Sequence, residues 1–358
     1  MPLWVKIGLG VFLSLIVFLI CIFCLALWIM KVPDLEVSRD DPEASQKLEN
    51  WFEALHTGRI SNFNGTVLVR RGEDVLIRKA YGTDGQDRPL NMETPLRLAS
   101  VSKQFTAVGV LTLVQAGRVD LEAPISDYFP NCPFTASVGT LLNNTSGIPD
   151  DIYHLAETDV LLTLEGVETL MCSGDIQQGD REFVYSNTGY LLAARLIERV
   201  TGQSFEAYMQ AAVFDPLEMK NSRVWNLVST EPFPDRGTGF QMSRKGRRAH
   251  EVTLLDGVAG DGGVFSTVTD LENWDRFWSD DRLLSKDLKQ LALAPSENKY
   301  GFGWVRDGDL AWHNGSWLGA RTYYSRNLRT GDLIILLDNG SSPVVDNIAN
   351  KIEMFLSE

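Results

Sequence analysis

The chain has 358 residues, of which 44% are hydrophobic and 22% charged, the composition of a folded protein with room for one large domain or two small ones. Disorder is thereby excluded as the default state. The formal charge at pH 7 is −14, and because the first 31 residues contribute only Lys6 and Lys31 the remainder carries −16, which argues against nucleic acid or an anionic bilayer surface as partner.

Every residue from 7 to 30 is apolar, glycine or serine. At about 1.5 Å per residue such a run crosses a hydrocarbon core of roughly 30 Å, and it is expected to be one transmembrane helix. A cleaved signal peptide would have a shorter apolar core and a small-x-small site, which only Cys24-Leu25-Ala26 approaches, so an uncleaved anchor is expected. Lys6 on one side faces Lys31 and Arg39 on the other, so charge barely discriminates the orientation. Residues 31–44 are polar, acidic and proline-punctuated and read as a linker, leaving 45–358 as the globular domain.

Within it, Leu48, Trp51, Phe52 and Leu55 fall at helical spacing, and residues 65–69 and 75–80 alternate around Arg70-Arg71-Gly72-Glu73-Asp74, predicting a helix and then a hairpin. Helices are expected to dominate residues 100–219, with a glycine- and proline-bearing interruption at 143–150. Strands return over 310–324 and 333–337, and a helix over 344–356 closes the chain. Strands at both ends with helices between imply one α/β unit whose sheet is assembled from distant parts of the chain.

Three short patterns carry chemistry. Ser100-Val101-Ser102-Lys103 places a serine and a lysine three residues apart, on one face of a helix. A serine in the first turn also sits where free N–H groups and the helix dipole favour negative charge. Residues 104–114 are apolar nearly all round, the mark of an interior helix, and a lysine desolvated on such a helix is favoured in its neutral, basic form. A second match, Ser296 to Lys299, follows Pro295 without an apolar helix behind it and reads as a surface loop. Tyr185-Ser186-Asn187 precedes an amphipathic helix; a tyrosine near the lysine can pass a proton to the leaving group, and the asparagine amide can orient the lysine and bind a carbonyl. His313-Asn314-Gly315-Ser316 lies in predicted strand. There the glycine admits close approach, the histidine can bond a carboxylate or a phenolic oxygen, and the N–H after the glycine can serve an oxyanion hole. His56-Thr57-Gly58, by contrast, reads as a helix end.

In the order Ser100-x-x-Lys103, Tyr185-x-Asn187, His313-x-Gly315, the chain resembles the class C β-lactamase and D-alanyl-D-alanine carboxypeptidase family, which also contains esterases and D-aminopeptidases. Segments 141–149, 262–270 and 300–304 are similar too, and the likeness spans about residues 45–339. The resemblance implies a β-lactamase/transpeptidase-like α/β fold, an antiparallel sheet flanked by helices with an all-helical subdomain inserted and the active site between them. It also implies acylation of Ser100, proton movement by Lys103 and Tyr185, and an oxyanion hole from the N–H groups of Ser100 and Ser316. Its expected substrates are an amide or ester (a D-peptide, a β-lactam or a small ester), with no cofactor and no metal. Analogy to the family places the domain outside the cytoplasm.

The departures are His313 where class C β-lactamases have lysine, Asn314 where threonine is usual, and Asn144 where many relatives have histidine. Replacing a point cation by a largely neutral imidazole weakens the case for strong β-lactam turnover. The competing function is a penicillin- or peptidoglycan-binding or sensing module with slow or no turnover; an intact serine, lysine and tyrosine favour turnover. No Gly-x-Ser-x-Gly supports an α/β-hydrolase, and the 4 histidines form no ligand pair at helical or strand spacing. Outside the anchor, Cys132 and Cys172 either pair, if the domain is extracytoplasmic, or remain two thiols. The basic group Arg244, Lys245, Arg247, Arg248 and His250 is either a solvated loop or a site for an anion.

Overall fold

The computed structural model describes residues 32–58, 62–150, 152–156, 159–243, 246–250 and 252–357. The expected anchor over 7–30 lies outside them, and among the described residues no helix is long and apolar enough to cross a membrane. Residues 32–43 form neither helix nor strand, but they are not the free linker the composition suggested. Val32 and Val37 are buried, the Trp51 indole donates to the Pro33 carbonyl at 3.1 Å, and Arg39 bonds Asp332 and the Leu356 carbonyl. Two valines among acidic residues suffice to pin the segment, because burying each apolar side chain outweighs the polar average of its surroundings.

Helix α1 (Ala44–Thr57) buries Leu48, Trp51, Phe52 and Leu55, the stripe marked by the sequence. An antiparallel hairpin, β1 (Gly65–Arg71) and β2 (Asp74–Tyr81), follows. Strand β3 (Leu96–Arg97) and a 3-10 turn (Ala99–Val101) lead into α2 (Ser102–Gln115), buried continuously from Ser102 to Leu111. The helical region continues with α3 (Val138–Leu142), α4 (Ile152–Leu155), α5 (Leu164–Met171), α6 (Asn187–Thr201) and α7 (Phe205–Met209), with α6 packed on α2, α3, α5 and α7. Strand β4 (Arg223–Val224), the hairpin β5 (Phe240–Ser243) and β6 (Gly246–Ala249), and β7 (Val264–Ser266) come next, then α8 (Val268–Phe277) and α9 (Lys286–Leu293). The chain ends with β8 (Val305–Asp307), β9 (Leu310–Trp317), β10 (Ala320–Asn327), β11 (Leu333–Asp338) and α10 (Val345–Ser357).

The main sheet is antiparallel in the order β2-β1-β11-β10-β9-β8, so the first hairpin pairs with the last strand across the whole helical region. It has a core on each face. Val67, Val69, Ile334 and Leu336 pack with α1 and α10, while Leu68, Leu333, Ile335 and Leu337 turn to the helical region. That is why β11 is apolar at five of its six positions: a strand covered on both faces has no polar side to show.

Two expectations are refined. Residues 310–324, read as one strand, are the hairpin β9–β10, turned at Leu318 and Gly319, whose φ values are +44° and +90°. Two successive positive φ angles are what a two-residue hairpin turn requires. Cys132 and Cys172, left open by the sequence, form a disulfide joining a loop to the end of α5.

Candidate active site

Ser100 lies in the 3-10 turn immediately ahead of α2, one turn earlier than the helix proper. Ala99 before it has φ +47°, a left-handed conformation that costs a non-glycine residue about 1 kcal/mol or more and here sets the serine at a sharp entry to the helix. Lys103 is completely buried, at 0% exposure, which disposes of its being an ordinary surface lysine. Its Nζ donates to Ser100 Oγ at 3.3 Å, to Asn187 Oδ1 at 2.8 Å and to the Asp261 carbonyl at 3.1 Å. All three N–H donors of the ammonium are therefore aimed, and one of them at the serine.

Asn187 is the first residue of α6, whose N-cap Ser186 accepts from the Gly189 N–H. Its Nδ2 donates to Asp150 Oδ2 at 3.2 Å, and Asp150 Oδ1 accepts from the Thr188 N–H at 2.8 Å. The amide is thus oriented with its oxygen toward the lysine. Tyr185, half-exposed just before this helix, presents its ring to Lys103 Nζ at 4.8 Å from the centroid, with the ring of Tyr190 at 5.5 Å.

On β9, His313 and Gly315 face the cleft and Asn314 and Ser316 turn away, the period-2 alternation of a strand. Asn314 accordingly reaches Asp346 on α10 at 3.0 Å. The His313 ring is buried and both of its nitrogens are engaged. Nδ1 donates to the Asn314 carbonyl at 2.6 Å, which leaves Nε2 to accept from the Tyr300 hydroxyl at 3.0 Å. Burial, and then the charge of Lys103, push its pKa down to about 3, so the imidazole is neutral. The phenolic partner expected for this histidine is Tyr300. Gly315 lies so close to the serine turn that a Cβ there would be 2.5 Å from the Leu98 carbonyl and 2.9 Å from the Ser100 nitrogen.

The structure thus gathers Ser100, Lys103, Tyr185, Asn187, His313 and Gly315 around one cleft, with Ser316 next to Gly315 in β9 and its side chain exposed. Four neighbours had no role in the sequence reading: Asp150, which orients Asn187; Asp261, whose carbonyl holds Lys103; Tyr153, on the Asp261 carboxylate; and Tyr300, on His313. The other Ser-x-x-Lys is a turn whose Lys299 is exposed and paired with Asp307 at 3.0 Å. In the basic group, Arg244 and Lys245 lie outside the described residues. Arg247 pairs with Asp87 and lies over the Phe240 ring, and His250 bonds Ser341, which is the behaviour of a solvated hairpin.

The Beta-lactamase family model matches residues 53–357. Penicillin-binding protein 4* of Bacillus subtilis (strain 168) is 31% identical over 322 residues, covering 82% of this chain and 71% of that protein. The D-amino acid amidase of Ochrobactrum anthropi SV3, solved with D-phenylalanine, superposes with a TM-score of 0.72 at 25% identity over 87% of this chain and 98% of that one. A penicillin-binding protein from Bacillus halodurans has the same fold, with a TM-score of 0.73 at 23% identity, covering 85% of this chain and 99% of that one.

Proposed function

This chain belongs to the beta-lactamase family and is a serine hydrolase of it, and from that premise we propose that Ser100 is acylated by amides or esters with a D-configured or similarly small acyl group. The observation that carries the reading is the reach of Lys103 Nζ to Ser100 Oγ, with the lysine's other two donors fixed by Asn187 and the Asp261 carbonyl. With its proton lost, Lys103 has a lone pair directed at the serine.

Ser100 Oγ attacks the acyl carbon while its proton passes to Lys103, and the N–H groups of Ser100 and Ser316 stabilise the oxyanion. The carbonyl re-forms as the C–N or C–O bond breaks, and the proton moves through Lys103 and Tyr185 onto the departing amine or alcohol. The acyl group is then an ester on Ser100. Water adds to it, gives its proton to the same pair, and the second collapse returns that proton to Ser100 and releases the acid.

Substrate class is supported from two sides. The relatives are a named penicillin-binding protein and a D-amino acid amidase. The neutral, fully engaged His313 supplies no cation for a substrate carboxylate, which favours amides and esters over rapid β-lactam turnover. The relationship to a penicillin-binding protein also supports a second reading, in which penicillin acylates Ser100 and stays. The Cys132–Cys172 bond supports an oxidising, extracytoplasmic compartment, with residues 7–30 as the anchor that holds the domain at the membrane.

Intact mass recorded over time on the full chain, with a penicillin and separately with an activated ester, tests this. An adduct of the acyl group is expected, absent in Ser100→Ala, and its decay rate separates hydrolase from binding module. An adduct that persists in Ser100→Ala, or neither adduct nor consumption of either reagent, overturns the assignment of Ser100.

A further inference from the structure

Asp261 stands in the active site with its carboxylate unused by the mechanism above. Its backbone carbonyl accepts from the Lys103 ammonium at 3.1 Å, so the residue lies beside the base. Its side chain turns to Tyr153, whose hydroxyl donates to Oδ2 at 2.9 Å. The Tyr153 ring packs on the indole of Trp317, with centroids 5.5 Å apart, and Trp317 directly follows Ser316 on β9. The cleft therefore has two ends along β9. At the His313 end stand Tyr185 and Tyr300, where a proton is delivered to the leaving group. At the Trp317 end stand Tyr153 and Asp261, so this end takes the acyl group.

At the acyl end the arginine, Arg97, is paired with a different carboxylate, and only its longer-range field reaches Asp261. Arg97 is paired with Asp256 at 3.6 Å, and Asp256 accepts further from the Trp317 indole at 2.6 Å and from the Thr253 N–H at 2.8 Å. Among the described residues, no cationic side chain forms an ion pair with the Asp261 carboxylate. The lysine beside it is neutral when it stands ready as the base, and carries a charge only while it holds the proton taken from Ser100. Burial pushes the Asp261 carboxyl above its ordinary value, and the charge of Lys103, then the Tyr153 hydroxyl, draw it back. A second cation at this place would keep the carboxylate ionised throughout the reaction.

We propose that Asp261 is a specificity-determining residue that binds a protonated amine on the acyl group, so that the preferred substrates are aminoacyl amides or esters with a free amino group. The inference rests on the hydrolase reading above and deepens it. An ammonium at this end can donate to the carboxylate while the faces of Tyr153 and Trp317 lie alongside, an arrangement that selects cations both by hydrogen bonding and by the negative faces of the rings. The excess of acidic residues over the whole chain, 47 against 33 basic, draws cationic substrates in the same sense.

The test compares D-alanine p-nitroanilide with its N-acetyl derivative on the full chain at about pH 6.5, where the free amine is protonated. In the natural protein the free-amine substrate is expected to have the higher kcat/KM by roughly ten- to a hundredfold, chiefly through KM, with the ratio falling to about one in Asp261→Asn. Equal rates on the two derivatives in the natural protein overturn the proposal without recourse to any variant, and so does a ratio that survives in a folded Asp261→Asn. Labelling by a fluorophosphonate separates the two levels of the argument. Ser100 labelled but neither derivative cleaved sinks the amine specificity alone, whereas Ser100 unlabelled and neither derivative cleaved sinks the hydrolase reading with it.

Discussion

With both ring nitrogens occupied inside the fold, His313 is a histidine that folding keeps from taking a proton. Its pKa is depressed to about 3 in the folded state, against 6.5 ordinarily. Between those values the unfolded chain binds a proton that the folded one refuses, so this residue's contribution to stability is complete above about pH 6.5 and is lost as the pH falls toward 3. The displacement corresponds to on the order of 5 kcal/mol over the whole interval. His313→Gln retains an acceptor for Tyr300 without the titration. Urea unfolding at a series of pH values between 6.5 and 4 is therefore expected to show a shallower loss in the variant than in the natural protein; parallel curves would mean that the ring is protonated inside the fold. The meeting of Ser100, Lys103 and Asn187 was legible from residue type and spacing, because a serine and a lysine three residues apart share one helix face and an asparagine at a helix start can present its amide to the lysine. Asp261 left no such trace. Its contact with Lys103 is made by a backbone carbonyl, which every residue type carries, across a separation of 158 positions. Asp150 and Tyr300 act by orienting other side chains, and their partners become visible only when the helices and β9 are folded together.

At the scale of elements, the site is a meeting of α2, the start of α6 and β9. The all-round apolar run of α2 announced a buried helix, and it is one. The hairpin turn between β9 and β10 was hidden because its first residue is Leu318, a leucine at φ +44°, where the usual signal is asparagine or aspartate before glycine. The fit of β9 against the serine turn is fixed by the absence of a side chain at Gly315 and by the Thr322 hydroxyl, which donates to the Leu98 carbonyl at 2.8 Å. A methyl at 315 would come within 2.5 Å of both the Leu98 carbonyl and the Thr322 oxygen, which are backbone and packed side chain and cannot turn aside. Gly315→Ala must then push the strand from the turn, moving the Ser100 N–H relative to Ser316. A displacement near 1 Å costs about a hundredfold in rate, while overpacking costs roughly 1–3 kcal/mol of stability. The expected result is a folded protein with kcat for an activated ester down by about that factor and a modest drop in melting temperature. An unchanged kcat would show that turnover does not depend on this contact.

Over the whole molecule, the main sheet joins residues 65–81 to residues 305–338, and everything between them is the helical region and its small sheets. Alternation and apolar runs revealed the strands, but not that β1 would lie beside β11, since register between segments so far apart is settled by the two cores and not by either segment alone. The disulfide acts on this architecture at one place. Cys132 and Cys172 are 40 positions apart, and the loop they close contains Asp150 and Tyr153, the residues that orient Asn187 and hold the Asp261 carboxylate. Closing a loop of that size restricts the unfolded chain and is worth about 2–4 kcal/mol. The same closure limits how far the 143–156 segment can open in the folded state, so its loss reaches the site as well as the global equilibrium. The double variant Cys132→Ser, Cys172→Ser is expected to unfold at lower urea and to lose kcat/KM before it unfolds. Reductant should lower the urea midpoint of the natural protein to that of the variant and leave the variant's own midpoint unchanged. A natural protein whose midpoint and kcat/KM are both indifferent to reductant would show that the helical region holds Asn187 in place by packing alone.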